Sequence, residues 1–218
     1  MSDHGNAPLQ FAHTDVELQQ RETLYQGFFR LERLRLRHRR FAGGWTPWVE
    51  RELLMRQPAV AVLPYDPDRH AVVLIEELRV GALEGTAPKS DRPQSPWLIE
   101  MIAGLREPGE APEVAARREA AEEAGIVLGQ IEPLYGYFPS AGGTNEWLQL
   151  FCARVDASAV GGVHGVDGEG EDIRVRVVSV EQANQWLAEG TICNAASIIA
   201  LLWLRLNEAR LRAQWASA

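Results

Sequence analysis

Residues 104–126 read GLREPGEAPEVAARREAAEEAGI, and the fold is best read outward from this stretch. Pro112 suits a first helical position, residues 113–124 are rich in Ala, Glu and Arg, and Gly125 supplies a stop. The spacing predicts a helix of about three turns. Residues three and four apart on a helix are neighbours, so Glu119, Glu122 and Glu123 share a face with Cβ atoms roughly 5–6 Å apart. Unpaired, they repel one another. Hard divalent cations take oxygen ligands, and Mg²⁺ keeps several waters while binding a few carboxylates together with phosphate oxygens. Taken alone, an ExxEE run on an Ala-rich helix reads first as a solvated acidic face. Its surroundings offer more: Gly104 permits a tight departure from the strand before it, and Glu110 can return a carboxylate from the loop. Arg118 can brace the cluster through charge-assisted hydrogen bonds to Glu110 or Glu119.

Upstream, residues 97–103 form a short apolar strand interrupted by Glu100, running directly into Gly104. Two β-rich runs, 59–65 and 71–78, flank Asp66-Pro67-Asp68-Arg69, whose composition is that of a turn. Residues 81–96 show no period and read as a surface loop. Further back, residues 31–39 alternate apolar and charged, Ala42-Gly43-Gly44 reads as a turn, and 48–55 follows as a second run. Residues from about 20 to 56 therefore read as a small antiparallel unit. Downstream, 131–138, 147–155 and 173–178 read as strands, and 180–188 and 195 to about 213 as helices. The last of these presents Ile198, Leu201, Leu202 and Leu204 for core or dimer packing. The division expected is a β domain over 1–57 and a larger domain over 58–218.

The chain has 218 residues, 46% of them hydrophobic, enough for one ordinary core and a further small unit. Its 22 Lys+Arg against 30 Asp+Glu leave a formal charge of -8, with no general pull toward nucleic acid or anionic lipid. An acidic site that handles phosphate then needs a metal. Cys152 and Cys193 form no metal or disulfide pattern. The N-terminus lacks a signal pattern and no apolar run approaches a bilayer span, so a soluble, cytoplasmic protein is expected.

Gly104, Glu110, Arg118, Glu119, Ala120, Glu122, Glu123, Gly125 and Ile126 occupy the specified positions of a longer pattern. That pattern is G, five residues, E, seven residues, then REUxEExGU with U apolar, and the segment resembles the box of the Nudix hydrolases. The resemblance runs over nearly the whole chain, including RETLYQGFFRL near the N-terminus and NAASIIALLWL near the C-terminus, and is closest to the bacterial ADP-ribose pyrophosphatase branch of that family. It implies an α+β fold: an α/β/α sandwich around a mixed sheet, with a small N-terminal antiparallel β domain exchanged in a homodimer. It implies hydrolysis of the diphosphate of ADP-ribose to AMP and ribose 5-phosphate, with two or three Mg²⁺ (or Mn²⁺) ions. By the same resemblance Phe28, Arg51 and Glu52 match positions holding the adenine end, and Arg79 one contacting the diphosphate. The Ala103 carbonyl, Glu119, Glu122 and Glu123 match metal-binding positions. Glu169 matches the loop residue serving as base, with Arg118 and Glu122 completing the catalytic set, while Ser140 and Glu146 match positions near the terminal ribose. Read without the resemblance, Phe28 is a core aromatic, Arg51 and Arg79 are exposed strand arginines, and Glu171 or Asp172 serves as base as well as Glu169, with His164 a weaker substitute.

The chain departs from the family where an SPGG-like loop is common: it has Ser140-Ala141-Gly142-Gly143, with Pro139 two positions early. This bears on selection of the ribose end. Another nucleotide sugar such as GDP-mannose is the competing substrate, since a metal helix recognises diphosphate and not the base. A non-catalytic ADP-ribose sensor is the competing class; the basic recognition helix it would need to signal to DNA is not apparent.

Overall fold

The computed structural model describes residues 9–83, 95–165, 168 and 170–215. The chain divides into two compact units, one of Met1–Arg56 with Ser140–Glu146, the other of Gln57–Pro139 with Trp147–Ala218. The expected cut near residue 57 therefore misses a seven-residue excursion, 140–146, that packs with the first unit.

The first unit is an antiparallel sheet of β1 (Val16–Gln26), β2 (Arg30–His38) and β3 (Val49–Met55), in that order. Strands β2 and β3 fall on the two runs, 31–39 and 48–55, read from the sequence. The longer β1 begins before residue 20, because VELQQRETLYQ is exposed along nearly its whole length and carries little apolar alternation. Arg37 stacks on Trp45 and Trp48, 4.9 and 4.8 Å from the ring centroids, and Arg39 lies 4.3 Å from Trp45. Among the described residues of this unit only Glu32 is buried, paired with Arg21 at 2.6 Å and Arg30 at 3.0 Å. No apolar side chain of its described residues is buried, while Val16, Leu18, Tyr25, Phe28, Phe29 and Phe41 are exposed.

The second unit is built on a mixed sheet of eight strands. These are β4 (Ala59–Asp66), β5 (Ala71–Leu78), β6 (Trp97–Glu100), β7 (Ile102–Leu105), β8 (Ile131–Tyr137), β9 (Leu148–Arg154), β10 (Gly162–His164) and β11 (Ile173–Ser179). The main path runs β10-β11-β5-β4-β9-β8, with β4 and β9 parallel and the remaining pairs antiparallel. Asp66 holds the turn between β4 and β5, its carboxylate accepting from the Asp68 and Arg69 N–H groups at 2.9 Å each. Beyond the turn the two strands pair only at Tyr65↔Val72 and Asp66↔Ala71, then diverge. The gap is filled by the stretch read as one strand over 97–103, which is two: β6 pairs with β5 and β7 with β4. The break falls at Met101, whose N–H donates to Ser197 Oγ at 2.9 Å instead of to a neighbouring strand.

Helix α1 (Val80–Leu83) adds one turn where a loop is expected, and the rest of that loop up to residue 94 lies outside the described residues. Helix α2 (Pro112–Ala124) covers one face of the sheet, packing Ala115, Ala116, Ala120 and Ala124 against Val60, Val62, Val73, Ile75 and Ile102. Helices α3 (Val180–Ala188) and α4 (Ala195–Trp215) cover the other face, over Ala61, Leu63, Tyr65, Leu74 and Leu150. Of the α4 side chains singled out, Leu201 and Leu204 are buried and Leu202 faces solvent. The result is the α/β/α sandwich with a mixed sheet. No helix among the described residues is long and apolar enough to cross a membrane.

Candidate active site

Helix α2 lies close to the sheet because its inward face is alanine, and that closeness brings Glu119 and Glu123 against β7. Both are buried, at 9% and 5% exposure, whereas Glu122 turns outward. The three carboxylates thus do not act as one uniform face. Pro112 opens the helix, and Gly125 ends it in a left-handed conformation, φ 63°, its N–H returning to Ala120 and Ala121 carbonyls.

Gly104 does a different job from the one expected. It lies inside β7, opposite Val60, and not at a departure from the strand. A Cβ there would fall 2.0 Å from the Glu119 Cδ and Oε1 atoms. Glycine is required because the Glu119 carboxylate occupies the space of a side chain. Gly104→Ala is expected to displace Glu119, costing about 1–3 kcal/mol of stability and most of the activity. Thermal unfolding and kcat on the same preparation check it, and a fully active variant would contradict this packing role.

Arg118 is the hub of the outer half of the site. Its Nε and Nη2 donate to both Glu110 oxygens at 3.1 Å, its Nη1 to Glu119 at 2.8 Å and Glu122 at 2.9 Å, and Nη2 also to the Leu105 carbonyl at 2.9 Å. These bonds, the one to Glu110 foremost, push the Arg118 pKa up. The same bond holds the Glu110 carboxyl below its usual range. Planar bidentate geometry of this kind is what a guanidinium offers and an ammonium does not.

The inner half centres on Glu123, whose carboxylate accepts from the Ala103 N–H at 3.1 Å. Burial raises its pKa to about 9, with the charges of Glu77 and Glu119 adding to the shift and Arg79 and the Ala103 N–H opposing it. Burial likewise raises Glu119, against the pull of Arg118, and Glu77, against the pull of Arg79. Arg79 faces this cluster, at 2.7 Å from Glu100 and 2.5 Å from Glu77. Burial works against its charge, but Glu100 and Glu77 outweigh it and its pKa rises. It is therefore neither a simple exposed arginine nor free of partners. Glu171 belongs to the same neighbourhood, since its charge adds to the upward shifts of Glu119 and Glu77.

A buried group of carboxylates with proton affinities raised by burial and mutual repulsion, only partly offset by Arg79 and Arg118, offers oxygen donors that fit a hard divalent cation. Among the described residues no three acidic, His or Cys side chains already converge to hold an ion by themselves.

The remaining expected residues lie elsewhere or outside the description. Phe28 is no core aromatic: it is 86% exposed, at the β1–β2 turn, edge-on to Phe29 at 4.9 Å. Arg51 and Glu52 are exposed on β3, Arg51 donating to the Glu50 carbonyl at 2.7 Å. Ser140 and Glu146 bound the excursion that packs with the first unit. There the Ser140 carbonyl accepts from Gly143 and Thr144 at 3.1 and 3.0 Å, and Glu146 pairs with Arg56 at 3.1 Å. Glu169 lies outside the described residues. The sequence marks Glu77 only as one of two adjacent acids, Glu76 and Glu77, near the end of the otherwise apolar strand AVVLIEEL. In the sequence Glu100 stands out only as an interruption of an apolar run.

Buried box carboxylates, a bracing arginine and a second guanidinium beside them, carried on a helix over a mixed sheet, define a diphosphate-handling site of Nudix type. A family profile described as NUDIX domain matches residues 55–215, and the chain belongs to that family. It is 48% identical over 211 residues to the ADP-ribose pyrophosphatase of Escherichia coli (strain K12), covering 97% of this chain and 98% of that one. The ADP-ribose pyrophosphatase of Haemophilus influenzae (strain Rd) is 45% identical, with 94% and 93% covered. A GDP-mannose pyrophosphatase of Enterobacter sp. (strain 638) is 33% identical over 72% of this chain and 78% of its own. A crystal structure described as an ADP compounds hydrolase superposes with TM-score 0.68 at 19% identity, over 91% of this chain and 97% of that one, a likeness of fold.

Proposed function

We propose that this protein hydrolyses the diphosphate of ADP-ribose, giving AMP and ribose 5-phosphate. The observation that carries the reading is near-full-length similarity to two ADP-ribose pyrophosphatases at 48% and 45% identity, joined to a buried carboxylate cluster facing Arg79. The GDP-mannose pyrophosphatase relative is more distant and matches less of the chain.

Glu119, Glu122, Glu123 and the Ala103 carbonyl would hold two or three Mg²⁺ or Mn²⁺ ions, which when bound polarise the diphosphate and lower the pKa of a coordinated water. Arg118 holds Glu119 and Glu122 in place through its hydrogen bonds at 2.8 and 2.9 Å. Arg79 offers its guanidinium to the diphosphate oxygens, where charge builds as the anhydride opens. Glu169, in the acidic loop, accepts the proton of the attacking water. The new bond is water oxygen to phosphorus, and the bond that breaks is the bridging P–O, so that one phosphate monoester leaves and the other carries the added hydroxyl. Phe28, Arg51 and Glu52 hold the adenosine end, and Ser140 and Glu146 the terminal ribose. Cys152 and Cys193 are free thiols, which suits a reducing cytoplasm.

The N-terminal sheet needs a partner surface, because among its described residues it buries no apolar side chain. A second copy of the chain, exchanging N-terminal sheets, supplies one. Mixing two inactive variants tests this: random dimers of Arg51→Ala with Glu123→Gln should recover about a quarter of wild-type activity. In half of such dimers one site carries neither lesion. No recovery after full subunit mixing would contradict exchange.

The substrate is tested by kcat/KM across ADP-ribose, GDP-mannose, NADH and a dinucleoside polyphosphate. ADP-ribose should lead. A large ratio in favour of another substrate would overturn the base and ribose assignments, and tight ADP-ribose binding with no turnover would favour a sensor.

A further inference from the structure

His164 takes no part in the chemistry above, yet it is fixed against the Nudix helix in a stretch otherwise full of glycine. Gly161, Gly162 and Gly165 have φ of 154°, 97° and 118°, backbone conformations that side chains rarely adopt. Between them the His164 ring is held through Nε2, 2.9 Å from the Gly161 carbonyl oxygen. The ring lies on Gly125, where an added Cβ would come 2.8 Å from His164 Cε1 and 3.2 Å from Nδ1. On its other side Gly165 abuts Glu171: a Cβ at 165 would fall 2.8 Å from the Glu171 Cβ and 2.9 Å from its carbonyl oxygen. His164 also pairs with Ile173 in the β10–β11 ladder, two residues beyond Glu171. A continuous set of contacts thus runs from the C-terminal cap of α2 through His164 and Gly165 to Glu171, whose charge acts on Glu119 and Glu77.

We infer that His164 is a positioning residue: seated in the notch left by Gly125, it fixes where the Glu171 carboxylate lies relative to the box glutamates. Its own contacts are with Gly161, Gly125 and Ile173. Gly125 then has a second task beside its left-handed backbone. Asparagine also caps helices in that conformation, but its Cβ would evict the imidazole. The inference rests on the diphosphatase reading and adds to it a part for Glu171, which the sequence offers as an alternative base to Glu169 and whose charge reaches Glu119 and Glu77.

His164→Ala is expected to lower kcat about 10–30-fold, as misplacement of a site group does, with KM within about threefold of wild type. The thermal midpoint should stay within a few degrees. His164→Gln keeps a donor near the position of Nε2 and should recover most of the loss. Unchanged kcat in His164→Ala would overturn the inference. So would a joint collapse of kcat, KM and thermal midpoint that Gln does not relieve. Mn²⁺ binding followed by electron paramagnetic resonance provides a readout that does not need turnover. His164→Ala should weaken it by about the same factor as Glu171→Gln, and the double variant no further. Full-strength binding by His164→Ala would refute the positioning role even if the wild-type protein hydrolysed none of the nucleotides offered, an outcome that would count separately against the diphosphatase reading.

Discussion

Glu123→Gln should lose activity by about 10³-fold or more, equivalent to roughly 4 kcal/mol of transition-state stabilisation, while the metal-free protein becomes more stable at pH 8. The opposite signs have one origin. Glu123 is buried, with its pKa raised to about 9, against an unfolded value near the ordinary carboxyl range. Its contribution is therefore fully present below about pH 4.5 and is lost progressively as pH rises toward 9, because the unfolded chain releases the proton and the folded one retains it. The slope is at most about 1.4 kcal/mol per pH unit. Glutamine carries no titrating proton and should flatten that slope. Adding Mg²⁺ should restore stability to the wild type increasingly as pH rises, and should do far less for the variant. Thermal melts from pH 5 to 9, with and without Mg²⁺, check this. A wild-type slope unchanged in Glu123→Gln, or wild-type turnover by that variant, would remove Glu123 from the centre of the site.

Arg118→Lys should reduce kcat about 10²-fold, although charge is conserved. The guanidinium makes five hydrogen bonds to Glu110, Glu119, Glu122 and the Leu105 carbonyl, and a single ammonium cannot reproduce that fork. Arg118→Ala should go further, since it leaves Glu119 and Glu122 facing one another with no cation between them. Its thermal midpoint should fall by several degrees and its activity by about 10³-fold. Excess Mg²⁺ should recover part of the Ala loss, because the cation replaces some of the missing charge. Kinetics in a Mg²⁺ series would show whether it does. A Lys variant as active as wild type would mean that charge alone matters at this position.

Much of the fold was readable in the residues. Pro112 and Gly125 bracket α2 as start and stop signals should, and the turn at Asp66 is held by the carboxylate that made it recognisable. What escaped did so because the deciding contact is distant in sequence. The kink at Met101 depends on Ser197, nearly a hundred positions later, and no local pattern marks it. The exposed β1 carries few apolar residues to alternate. Gly104 was noticed as a box glycine, but its reason, the Glu119 carboxylate, becomes visible only when α2 is laid on β7. For the site, spacing placed Glu119 and Glu123 on one helical face, but could not separate them from the outward Glu122. The roles of Glu77 and Glu100 depend on the divergence of β4 and β5, a feature of sheet topology. The packing of 140–146 with the N-terminal unit, through the Leu54 and Arg56 backbone and Glu146, has no counterpart in sequence distance either.

The most direct measurement is release of AMP from ADP-ribose by the purified full-length protein, resolved by chromatography with Mg²⁺ present and after chelation. Stoichiometric AMP and ribose 5-phosphate, formed only with the metal, is the expected result. Intact ADP-ribose after prolonged incubation with Mg²⁺ and with Mn²⁺ would contradict the proposed function.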